Sequence, residues 1–74
     1  MAIAKKTWPY GTKRRAKVRG VETEGMTTAL VVQDELGEAH ILIGTGSVGE
    51  EGDRGTITFL QGGPMGGYWK FEKQ

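Results

Sequence analysis

The sequence predicts an all-β chain, a small five-stranded antiparallel, partly open barrel (residues 13–74) with a basic N-terminal arm (residues 1–12). Three observations lead there. Residues of high β propensity gather in short runs, some of them alternating, and no window repeats apolar residues at i, i+3, i+4 and i+7 beyond one turn. Thirteen glycines punctuate 74 residues, against a usual share of roughly 7%. The chain is also too short for more than one domain, and such cores supply only about 3–5 kcal/mol of net stability. A dinucleotide-binding α/β domain and a large substrate cavity are excluded on size.

Each element has its own signal. In residues 13–22, Lys13, Arg15, Lys17 and Arg19 fall on one face and Arg14, Ala16, Val18 and Gly20 on the other, as a period of two demands. Met26–Gln33 is rich in Thr and Val and reads as a buried central strand. Asp34-Glu35-Leu36-Gly37 reads as a turn, with glycine where a positive φ is wanted. Ala39–Ile43 then returns to complete a hairpin. Thr56–Leu60 is the fourth strand, with Ile57 and Phe59 inward, and Tyr68–Glu72 the fifth. Tyr68 and Trp69 must face opposite sides, so Trp69 with Phe71 forms the inward pair and Tyr68 stays outside. Gln61–Gly67 is a flexible glycine-rich turn. Five short strands joined by glycine turns suggest an SH3-like or OB-like barrel. The pattern, with Gly52-Asp53-Arg54-Gly55 entering a strand, resembles SH3-type barrels of nucleic-acid-handling proteins, a likeness of fold that does not fix function.

Charge is divided unevenly. Residues 1–20 hold seven bases and no acid, whereas residues 21–74 hold three bases and nine acids, so a +7 segment precedes a −6 segment in a chain of net charge +1. Such a division suggests a polyanionic partner, or a basic segment neutralised by the acidic remainder. Four cations on one strand face stand about 6.6 Å apart at a rise of ~3.3 Å per residue, a row able to follow a phosphate backbone. Arginine adds bidentate phosphate geometry. The competing reading is an edge strand whose charges discourage sheet-to-sheet aggregation.

The candidate site is therefore Lys13, Arg15, Lys17 and Arg19, helped by Lys5, Lys6 and Arg14. Tyr68, Trp8 and Tyr10 are the stacking candidates, since an exposed aromatic beside cations is the arrangement of single-strand binders. Trp8 and Tyr10 have two other readings, docking in a protein groove or clamping the arm onto the barrel. The expected function is non-catalytic nucleic-acid binding, to RNA or DNA, with little sequence specificity. The alternative is a small regulatory adaptor whose basic aromatic arm docks on an acidic protein surface.

Other chemistry has little to work with. Gly44-Thr45-Gly46-Ser47-Val48-Gly49 matches G-x-G-x-x-G, but the dinucleotide reading needs a following helix, and Glu50-Glu51-Gly52-Asp53 comes instead. His40 is the single histidine and Ser47 the single serine, so His40 reads as structural and no triad is expected. Glu50, Glu51 and Asp53 match no EF-hand spacing. No metal, small-molecule cofactor or membrane partner is expected. The absence of cysteine and of an apolar leader points to a cytoplasmic protein.

Overall fold

The structure is a computed structural model and describes residues 8–63 and 66–74. It is all-β. Five strands, β1 (Lys13–Glu24), β2 (Thr27–Asp34), β3 (Ala39–Ile43), β4 (Arg54–Leu60) and β5 (Tyr68–Lys73), form one antiparallel sheet in the order β3-β2-β1-β4-β5. The edge strands β3 and β5 come into contact as the sheet curls, but they do not pair, so the sheet is not closed. No helix among the described residues is long and apolar enough to cross a membrane.

The core occupies the inner face. Ala16 and Val18 from β1, Leu30 and Val32 from β2, Leu42 from β3, Ile57 and Phe59 from β4, and Trp69 and Phe71 from β5 are all buried. The alternation expected for Lys13–Arg19 and the inward pairs Ile57/Phe59 and Trp69/Phe71 are present. Three expectations change. The central strand is β1 rather than Met26–Gln33, because β4 pairs with the first half of β1 on the side opposite β2. With one face toward solvent, β2 alternates instead of being buried throughout.

Gly20 also changes sides. A bulge between Val18 and Gly20 lets Arg19 go unmatched, so Val18 opposes Val32 while Gly20 opposes Val31. A bulge inserts one residue and re-aims those that follow. Gly20 therefore lies on the outer face, and Val21 lies opposite buried Leu30.

Two glycines are required by the backbone. Gly37 closes the β2–β3 turn at φ +84 with its amide donating to the Asp34 carbonyl at 2.9 Å, a conformation L side chains rarely adopt. Gly55 sits where a Cβ would meet the Glu72 carbonyl oxygen at 2.1 Å and a Phe71 ring carbon at 2.9 Å, so β4 and β5 pair closely only because nothing projects there.

Candidate functional site

Two charged clusters lie on opposite faces of β1, and they differ in how their charge is answered. On the inner face, Arg14 Nη1 donates to Asp34 Oδ2 at 3.0 Å and to Glu38 Oε1 at 3.4 Å. His40 Nε2 lies 2.9 Å from the same Asp34 Oδ2. The other carboxylate oxygen, Oδ1, accepts from the amides of Leu36 and Glu38, both at 2.9 Å. Burial pushes the Asp34 carboxyl up, but the hydrogen bonds from His40, the Glu38 amide, Arg14 and the Leu36 amide outweigh it and hold its pKa at about 2, below the ordinary 3.8. A buried carboxylate needs all of its lone pairs answered, and here they are.

Trp8 closes this inner cluster. It is half-buried, with its ring 5.5 Å from His40, 5.4 Å from Phe59 and 5.0 Å from Trp69 in edge-on arrangements. The Arg14 guanidinium stands 5.8 Å from the Trp8 ring centroid and 5.9 Å from that of Trp69. Tyr10 is exposed, stacks on Phe59 at 5.7 Å, and its hydroxyl donates to the Gly66 carbonyl. The Gly11 amide donates to the Phe59 carbonyl and the Phe59 amide to the Thr12 carbonyl, so residues 11–12 continue the β1–β4 ladder. Both aromatics thus contact the barrel, as the clamping reading requires.

The outer face carries the other cluster. Lys13, Arg15 and Lys17 project there, with Arg19 at the bulge, where its Nε donates to Gln33 Oε1 at 3.0 Å. Arg54 of β4, absent from the sequence-predicted set, lies directly opposite Lys17 across the sheet. Arg15, Lys17, Arg19 and Arg54 line an open groove of about 580 Å³ together with Gln33 and Thr56. Among the described residues none of the four makes an ion pair. Asp34 and Glu35 also line the groove, and Glu35 accepts from the Arg15 backbone amide at 3.2 Å. Like charges directly opposite on neighbouring strands are destabilising, so Lys17 and Arg54 face each other at a cost.

The remaining candidates scatter. Arg14 belongs to the inner cluster. Tyr68 is half-buried on the outer face of β5, opposite Leu60 and beyond the Lys13–Thr58–Lys70 ladder, at the end of the row farthest from Arg19. Lys5 and Lys6 lie outside the described residues. Arg54 and Gln33 could not be added from sequence, because their place depends on a register between strands far apart in the chain.

The glycine loop after β3 leads to β4. No helix follows it; Ser47 Oγ accepts from the Phe71 amide at 2.9 Å and binds Thr45 Oγ1 at 2.6 Å, tying the loop to β5. Asp53 accepts from the Glu50 amide at 2.8 Å and pairs with Lys73 at 3.6 Å. Comparison with protein-family models, curated proteins and solved structures gave no match.

Proposed function

We propose that the chain is a non-catalytic nucleic-acid-binding module, of the SH3-like or OB-like kind, that holds a phosphate backbone in the outer groove with little sequence specificity. Arg15, Lys17, Arg19 and Arg54 bind phosphates, Lys13 extends the row, and Gln33 and Thr56 offer neutral hydrogen bonds. The observation that carries the reading is the opposition of Lys17 and Arg54 in a groove where no described carboxylate pairs with either. A polyanion relieves that repulsion, and each phosphate bound releases a condensed counterion. β1, bulged at Arg19 and shared between the β2–β3 and β4–β5 halves, supports the barrel kinship. The adaptor reading has less support, because Trp8 is spent on the inner cluster and only Tyr10 of that pair stands open.

The test is fluorescence anisotropy with labelled single-stranded RNA, single-stranded DNA and duplex DNA at ~50 and ~200 mM salt. Four phosphates held on a single strand predict a log–log salt slope of about −3. Changing Arg15, Lys17, Arg19 and Arg54 to Gln together should abolish binding. No binding by the unaltered protein at micromolar concentration in low salt would refute the proposal.

A further inference from the structure

The outer face does not end at the groove. Moving from the Lys17–Gln33 ladder along β1 and β2, the next outward-facing ladder is Gly20–Val31–Ile41, and the one after it is Glu22–Ala29–Ile43. Ile41 and Ile43 are 68% and 60% exposed, high values for β-branched side chains two apart on one strand. With Val31 and Ala29 they form an aliphatic platform continuous with the cationic groove. Contiguous exposed apolar surface marks an interaction site more often than single exposed residues do.

The bulge at Arg19 builds this juxtaposition. It turns Gly20 outward, and a Cβ there would meet nothing within 4 Å, so the lane between the cations and the platform is open. Strands lie about 4.8 Å apart, which puts β3 about 10 Å from β1, within reach of a base whose phosphate sits over β1. Glu22 borders the far end of the platform and repels phosphates there, so the backbone belongs on the β1–β4 side and the bases on the β2–β3 side.

We infer, resting on the reading of the groove above, that the ligand is a single strand whose unpaired bases lie on Val31, Ile41 and Ile43. Only an unpaired base offers its flat face to a protein surface; in a duplex that face is stacked away. The charge of the groove selects a polyanion, and the adjoining aliphatic surface selects one with exposed apolar faces.

The experiment compares oligothymidine with a duplex DNA of equal length, using the full chain, Ile41→Thr/Ile43→Thr, and Ile41→Tyr. Threonine keeps the β-branched backbone preference, and the near-ultraviolet signal of Trp8 and Trp69 verifies the fold. Unaltered protein should favour oligothymidine. The double variant should bind it about tenfold more weakly, the scale of losing about one to two buried methylenes' worth of apolar contact, with the salt slope and duplex affinity unchanged. Ile41→Tyr should bind oligothymidine more tightly, a gain that no folding defect can imitate. Equal binding of the two ligands, unaffected by either variant, would overturn the inference while the groove reading stands. Failure to bind either ligand would refute the groove reading itself. Self-association by light scattering that the double variant abolishes would give the platform to a second copy of the chain and overturn the inference.

Discussion

Arg14 and Arg15 are neighbours in sequence and opposites in circumstance. Arg14 is 16% exposed in its side chain, shares Asp34 with His40 and lies beside two indole rings. Arg15 points to water in a groove where, among the described residues, the other three cations also lack an ion pair. The contrast shows what the near-zero net charge conceals. Charge on the inner face is neutralised within the chain and holds it together, whereas charge on the outer face is left open at the expense of stability. Mutations on the two faces should therefore part company: inner changes lower stability, whereas outer changes weaken binding and leave stability the same or slightly higher.

The largest effect expected is at Asp34. Asp34→Ala leaves buried His40 and partly buried Arg14 without their shared acceptor and frees the Leu36 and Glu38 amides. Removing one partner of a buried charge cluster costs about 3–5 kcal/mol, comparable with the whole stability of a domain this small. Urea titration should show little or no folded baseline. The same carboxylate sets a pH limit. Its folded pKa of about 2 lies below the ordinary 3.8, so its contribution is complete above about pH 4 and is lost as pH falls toward 2. Asp34→Asn should flatten this acid limb, and an acid limb unchanged in the variant would show that another group sets it.

Trp8 comes next and distinguishes a clamp from a stacking platform. Trp8→Ala removes a ring packed against His40, Phe59 and Trp69. Deleting a fully buried Trp costs about 3–5 kcal/mol, and a half-buried one less. The urea midpoint should fall while the salt slope of binding at low temperature stays the same. An unchanged midpoint with weakened binding would return Trp8 to the ligand.

These two residues also mark how far sequence reasoning reaches. The period of two placed Lys13, Arg15, Lys17 and Arg19 on one face and the pairs Ile57/Phe59 and Trp69/Phe71 inward, because strand alternation is local. Gly37 in its turn was legible for the same reason. What alternation cannot reveal is which strands are neighbours. Arg14 meets Asp34, and Lys17 meets Arg54, through registers that join residues 20 and 37 positions apart. The bulge at Arg19 was hidden too, since inserting a residue leaves no mark on composition. Clamping was among the readings open to Trp8, but alternation cannot reveal what it covers. Its burial follows from the gap between β3 and β5, where the curling sheet leaves His40 and Trp69 in need of a cover.

The smallest effect carries the sharpest sign. Lys17→Gln, or Arg54→Gln, removes the repulsion across the β1–β4 pair, and cross-strand pair energies of roughly 0.2–1 kcal/mol set the scale. Each variant should melt slightly higher than the unaltered protein in low salt. The gain should shrink as salt rises, because these charges are solvent-exposed and screened. Binding should move the other way, weakening with a salt slope shallower by about 0.7 for each single-strand phosphate no longer neutralised. Arg14→Gln is the control on the same strand, and it should lower stability because it strips a buried carboxylate of its cation. A groove that only kept the protein soluble would show the gain in stability without the loss of binding. Both changes together, opposite in sign and from one side chain, are what a surface held open for a polyanion requires.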